Sequence, residues 1–382
     1  MLFIYWINSS NLLIMKGKYI LILLLIFGAL TVTDDAYGQR KKSYLKKRNK
    51  QISKYKGGSI HFSKNKRYIT GEFNINFNNY FGDLAPRSNW ASTDIQFTRP
   101  GVGLYAVYRY SPNFSFRSGF SWSRIKGDDF ESADPNDQNS LFRYARNLSF
   151  RNNLYEFTFQ GMWDIFGNHG TFLNRVPFTP YVFAGAAVFY HEPKGLVPDM
   201  NYHNPGEPTP LADAGKWVNL RELGTEGQFS TADIEKGERY GPVQISVPVG
   251  VGMRFQLSKR MDFAFEVGYK FLFFDHIDDV SGKFVDLGAL DSELAQVMSD
   301  RSTEPTNAIT GSERNFEKIN TITREITYTS PYDGNTYRTL AGYGHEHVDN
   351  IRGNVNDNDQ ILVTSFKLTY VLTGSFQRAK FR

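Results

Sequence analysis

The chain has 382 residues, no cysteine, a formal net charge of +5 and an aromatic content of 15%. A mean hydropathy of −0.42 excludes a bundle of membrane helices, since each span needs about twenty apolar residues. The lack of cysteine excludes disulfides, thiol chemistry and cysteine metal sites, and leaves no residue to carry a lipid anchor.

In chain order, the first feature is a secretory signal over residues 1–38. Lys16 and Lys18 precede the apolar run Tyr19 to Phe27, and Ala36-Tyr37-Gly38 supplies small residues before Gln39. Translation starts at Met1 or at Met15, because the first fourteen residues add nothing a signal needs. A basic segment, 39–67, follows, with Arg40, Lys41, Lys42, Lys46, Lys47, Arg48 and Lys50 at its head. Such a run is either a solvated leader or a docking arm for an acidic partner or anionic lipid heads. An exported chain has no call on nucleic acid.

Eight strands are expected between residues 68 and 372. The first, Glu72 to Phe81, sets Phe73, Ile75 and Phe77 against Glu72, Asn74, Asn76 and Asn78. The second, Gly101 to Tyr110, and the third, from Phe114 to Trp122, are joined by the compact turn Ser111-Pro112-Asn113. The fourth, Ser149 to Phe166, aligns Tyr155, Phe157, Phe159, Trp163 and Ile165, but Leu148 and Phe150 fall on the other parity. A bulge near Arg151-Asn152-Asn153 would bring them into phase. The fifth, Phe178 to Tyr190, is apolar on both parities and its facing is open.

The sixth and seventh strands form the clearest stretch of the sequence. From Val243 to Leu257 every odd position is apolar, and after Ser258-Lys259-Arg260 the alternation resumes with Phe263, Phe265, Val267, Tyr269, Phe271 and Phe273. A period of two this long exceeds the usual soluble strand and gives one apolar and one wet face. The eighth strand is Ile361 to Leu372, ahead of a basic tail, 373–382.

Connections after strands two, four and six are short, whereas those after one, three, five and seven are long. The longest, 191–240 and 276–359, are polar, and the second holds one expected helix, Leu290 to Met298, with Ser292 as its cap. This alternation predicts an all-β, eight-stranded up-and-down antiparallel transmembrane β-barrel in the cell outer membrane, with long extracellular loops and both basic termini in the periplasm. Its partners are then the outer-membrane lipids.

A barrel of eight strands is just wide enough for side chains to fill it. Glu72, Arg117, Glu156, Arg254, Glu266, Lys270 and Lys367 point inward by parity, and their mixed signs predict an ion-pair network. If the turn pairs Ser258 with Asp262, Arg254 lies opposite Glu266. Nothing singles out a catalytic triad. His345-Glu346-His347 lacks the helical spacing of a zinc site, and Asp357 and Asp359 lack a calcium loop around them. No cofactor, metal, small-molecule substrate or enzymatic activity is expected.

Four segments carry a family resemblance: Val107 to Pro112, Arg124 to Asp129, Leu148 to Glu156, and Thr179 to Gly185. They resemble the PorG-type outer-membrane barrels of the type IX secretion system of Bacteroidota, over roughly Tyr68 to Phe274 plus the final strand. The resemblance implies a non-enzymatic subunit that docks periplasmic ring proteins of the PorK and PorN type and serves protein secretion and gliding motility. The two longest loops exceed what that family pattern needs. The competing expectation is a surface-binding or adhesion barrel of the OmpA/OmpX kind that acts through those loops.

Overall fold

The computed structural model describes residues 62, 66–84, 97–347, 349–356 and 358–373. The signal segment, the basic run from Arg40 to Lys50 and the tail 374–382 lie outside the described residues. Eight long strands dominate: β1 (Ile69–Phe81), β2 (Arg99–Arg109), β3 (Phe114–Asp128), β4 (Ser149–Asp164), β5 (Phe178–Leu196), β6 (Val243–Gln256), β7 (Met261–Leu272) and β8 (Gln360–Thr373). Each pairs antiparallel with its neighbour in sequence, and β8 closes on β1. The sheet therefore has no free edge, which is the condition for a strand structure to sit in hydrocarbon.

The outward positions are apolar all the way round. Leu104 and Phe120 are more than two-thirds exposed, and Phe73, Tyr155, Trp163, Val251, Phe273 and Leu372 are exposed with them. An apolar belt of that extent is untenable in water and is the surface an outer-membrane barrel offers to lipid. The inward positions of the same strands are buried and polar, as in Glu72, Asn74, Asn76 and Asn78 on β1. The protein is thus an outer-membrane barrel.

The register corrects two expectations. No bulge interrupts β4: its pairing with β3 runs unbroken from Asp128↔Ser149 to Phe114↔Trp163. Phe150 and Leu154 are in phase with Glu156 and face inward, because the barrel interior is polar in its midsection and apolar at its external mouth. There they pack with Tyr80, Ile125 and Phe189 against Leu220, Ile277, Val280 and Met298 from the long connections. The β6–β7 turn is also centred one residue earlier than expected. Gln256 pairs with Asp262, so Arg254 lies opposite Ala264 and Glu266 opposite Gly252, not opposite each other.

On β5 the odd residues Tyr181, Phe183, Ala187, Phe189 and His191 face inward and the even ones meet lipid. This strand continues to Leu196, so the connection that follows spans 197–242. That connection joins 129–148 and 273–359 in a folded external cap. The cap contains short helices, among them Leu141–Arg146 and Glu293–Ser299, and a hairpin of Glu325–Thr329 with Thr336–Leu340. Ser292 caps its helix as expected, its Oγ accepting from the Ala295 amide at 3.1 Å. Two further apolar clusters hold the cap together, one of them built on Leu141, Tyr144, Phe284, Ile319, Leu340 and Tyr343.

Candidate functional site

Three features of this barrel bear on what it can do: its lumen, its two ends and its cap. In the lumen, Arg117 from β3 reaches across to β7 and sets Nη1 2.5 Å from Glu266 Oε1 and 3.3 Å from Glu72 Oε1. Its Nε also donates to Gln160 Oε1 at 2.8 Å. Lys367 from β8 lies 3.1 Å from Glu72 and 2.8 Å from Glu266, and Lys270 lies 2.9 Å from Glu156. The Tyr181 hydroxyl donates to Glu266 at 2.5 Å. Six of the seven inward residues expected from parity thus meet as three cations against three carboxylates, all at least nine-tenths buried. Pairing and hydrogen bonding are what make such burial tolerable.

The seventh, Arg254, belongs elsewhere. It pairs with Asp164 at 3.2 Å, shares that carboxylate with Arg109 at 2.8 Å, and lies over the Tyr181 ring. Asp164, Arg109, Gln160 and Tyr181 are absent from the set that parity suggested, although each occupies an inward position on its strand. Glycines on β6 and β7 make room for the aromatic contribution of β5. A Cβ on Gly250 would stand 2.5 Å from Phe183 Cζ, and one on Gly252 would stand 2.5 Å from Tyr181 Cζ. Two cavities between these side chains, of about 40 and 20 Å3, have room for single waters.

Both ends are shut. At the short-turn end, which is periplasmic in barrels of this plan, the connection 165–177 folds under the lumen. Phe172 packs on Tyr68 and Val371, and Arg175 donates to Ser258 O at 3.0 Å, to Lys259 O at 2.9 Å and to Asp262 at 2.7 Å. Within the same turn His169, Leu173 and Asn174 stay exposed.

At the external mouth the cap is bolted to the barrel by polar side chains. Asn152 Nδ2 of β4 donates to Ile277 O at 2.7 Å. The buried Tyr80 hydroxyl lies against Asp278 and 3.0 Å from Asp359, while Asp359 Oδ2 accepts from the Ile277 amide at 3.0 Å. Inside the cap, Arg146 forks onto Asp129 through Nε at 2.7 Å and Nη2 at 2.8 Å, and Arg352 meets Glu226 at 2.9 Å. Arg314 donates to four carbonyl oxygens, those of Tyr144, Ala145, Ser302 and Glu304. Burial pulls its guanidinium down to about 10 and pushes the Asp275 carboxyl up to about 9. It also raises Asp278 and Asp359 well above the carboxylate range, each aided by neighbouring carboxyls.

The remaining polar motifs resolve into packing. His345 sits edge-on to Tyr328 with ring centroids 4.9 Å apart, and His347 is exposed beside Asp349 at 3.8 Å. Asp357 lies outside the described residues, while Asp359 is engaged at the mouth. Among the described residues no group of three His, Asp or Glu side chains is arranged to hold a metal ion.

The model of a family described as "Domain of unknown function (DUF6089)" matches residues 63–209. No curated protein matches the chain. Among solved structures it is similar to Neisserial surface protein A, with 10% identity and a TM-score of 0.31 over 79% of this chain and 96% of that one. It is also similar to the attachment invasion locus protein Ail of Yersinia pestis, with 7% identity and a TM-score of 0.30 over 80% and 99%. For OprG from Pseudomonas aeruginosa the values are 8% and 0.32 over 80% and 96%. The strand pairing, rather than these scores, establishes the architecture.

Proposed function

We propose that this chain is a non-conducting, non-enzymatic scaffold of the outer membrane that serves as the PorG-type subunit of a type IX secretion and gliding machine. In this role it docks periplasmic ring proteins of the PorK and PorN type to the membrane. The observation that carries the scaffold reading is the sealed lumen. Ion pairs fill its midsection, Phe172 and Arg175 close one end, and the cap closes the other. A barrel of this kind transports nothing through its centre, so its use lies in what it holds at its two faces. The resemblance of Leu148 to Glu156 and of the three companion segments supplies the particular machine. In this structure those segments do structural work: Asn152 anchors the cap, Asp129 receives Arg146, and Arg109 clamps Asp164. Docking then falls to the 165–177 turn and to the basic run Arg40, Lys41, Lys42, Lys46, Lys47, Arg48 and Lys50.

The test is a mild-detergent pull-down of the tagged protein with identification of co-purified chains. Ring components should be recovered, and replacing His169, Leu173 and Asn174 by serine or replacing the basic run by Gln should lose them. Recovery unchanged by both sets of substitutions refutes the docking reading.

A second reading, a surface-binding barrel of the OmpA/OmpX kind, is favoured by one specific observation. The external connections form a folded cap with its own apolar clusters, which is more than loop closure requires. If secretion survives alteration of the periplasmic face but fails when 197–242 is shortened, this reading replaces the first.

A further inference from the structure

The cap and the barrel rim enclose a cavity of about 450 Å3 on the outside of the β1–β8 seam. Its floor is Phe81 and Gln360, the last pair of that ladder, both on outward parity. Its walls come from Phe142 and Arg143 on the helix Leu141–Arg146 and from Ile351 to Asn354 on the last connection.

Three observations define what it would take. The first is height. The exposed apolar positions of β1 end at Phe77, and Phe81 stands four residues further, roughly 10 Å along the membrane normal for a tilted strand. That is the layer occupied by lipid headgroups. The second is charge. Arg143 is half-buried at the cavity wall, and its one side-chain hydrogen bond among the described residues goes from Nη1 to Ser132 Oγ at 3.2 Å, with no carboxylate at ion-pair distance. Burial, aided by the neighbouring Arg146 charge, depresses its basicity despite the longer-range pull of Asp129, Asp137 and Asp83. Neighbouring Arg146 is different, fully committed to Asp129 and to the Asp83 carbonyl. The Asp83 carboxylate, also on the wall, is already engaged, accepting from the Asn354 amide at 3.0 Å. The third is the rim. Phe142 and Ile351 are exposed beside this cation, and below them Phe77 and Phe366 continue the apolar surface into the bilayer.

We propose that this cavity binds the net-anionic, phosphate-bearing headgroup of an outer-leaflet lipid in preference to a zwitterionic one, with Arg143 as its anion ligand and Phe142 and Ile351 flanking the glycerol or sugar. A planar guanidinium suits a phosphate better than an ammonium does, and an apolar rim beside a cation complements an amphiphile rather than a free ion. The site is independent of either reading of the function, because it uses neither the periplasmic face nor the top of the cap.

The experiment is native mass spectrometry of the full barrel in detergent micelles doped with equal amounts of phosphatidylglycerol and phosphatidylcholine. The native protein should retain one phosphatidylglycerol in preference, Arg143→Gln should reduce that retention about tenfold, and Phe142→Ser should reduce both lipids. Arg324→Gln, at an exposed position in the cap, should change nothing. A heat-shifted gel band confirms that each variant is folded. Equal retention of the two lipids, or retention unaffected in folded Arg143→Gln, overturns the proposal. Loss of phosphatidylglycerol on adding inorganic phosphate at equal concentration also overturns it, since the site would then take a free anion.

Discussion

Removing Arg117 is the sharpest test of the claim that charge pairing fills the lumen. In Arg117→Met the aliphatic stem is kept and the guanidinium is lost, together with its bonds to Glu72, Glu266 and Gln160. Lys367 still lies 2.8 Å from Glu266 and 3.1 Å from Glu72, so two buried carboxylates are left sharing one cation. Breaking one partner out of a buried pair costs about 3–5 kcal/mol, against about 0–1 for an exposed pair. The pair at issue is only a few per cent exposed, so the larger figure applies. Adding Glu266→Gln removes the surplus carboxylate, and the double variant should recover at least about half of the loss as a coupling energy. Urea unfolding of the barrel in detergent, followed by tryptophan fluorescence, reads each corner of the cycle. Loss under about 1 kcal/mol in the single variant, or strictly additive losses in the double one, would mean the lumen is not held by this network. Charge reversal at Glu266 strands Arg117 and Lys367, not Arg254 or Lys270.

Three further outcomes follow from the mouth, the cap and the glycines. Burial raises the Asp278 and Asp359 carboxyls well above their ordinary value, Asp83 acting the same way on both and Asp278 and Asp275 on Asp359, while hydrogen bonds from Tyr80 and the Val280 and Ile277 amides and the Arg146 charge oppose the rise. Because their folded values exceed the unfolded one of about 4, the stabilisation is complete below that pH and is lost as pH rises through the folded values. Hydrogen-exchange protection of 275–282, corrected for intrinsic rate, should therefore fall from pH 6 to pH 10, and Asp278→Asn should flatten the profile; protection that grows with pH contradicts this. Arg146→Ala strands the fully buried Asp129 and should weaken the cap by about 3–5 kcal/mol. Limited proteolysis should then cut 129–148 and 273–359 while the barrel keeps its heat-shifted band, and an uncut cap would show the fork to be dispensable. Gly250→Val drives a Cβ against the Val267 carbonyl and Gly268 Cα, both backbone, and should cost at least about 2 kcal/mol or prevent folding altogether. Urea unfolding measures it, and a native midpoint would refute the close approach.

The strands were legible because lipid imposes a strict choice on every second residue. On β6 and β7 nothing blurs that choice, and the observed bounds fall within a residue or two of the expected ones. On β5 it is blurred because the lumen accepts Tyr181 and Phe183, whose rings lie over the Cβ-less surface of β6 and β7, so both parities read as apolar. Phe150 and Leu154 misled for a related reason: the environment inside the barrel changes along its axis while the backbone keeps its phase. The partner of Arg254 was hidden in the turn. Leu257 and Ser258 both donate to the Met261 carbonyl, which shifts the pairing by two residues and leaves side-chain facing untouched. Apart from the helix capped by Ser292, the cap gave little periodic signal, since its clusters draw scattered residues from 129–148, 197–242 and 273–359 and bonds such as that between Arg352 and Glu226 join residues far apart in sequence.

Lys367 sits on the last strand, yet it serves carboxylates from the first and the seventh. While the chain is still short of that strand, Glu72 and Glu266 face a single guanidinium across an open seam. The neutralising ammonium and the hydrogen bonds that zip β1 to β8 arrive in the same event. A product truncated before that strand therefore lacks its seam and its electroneutrality together.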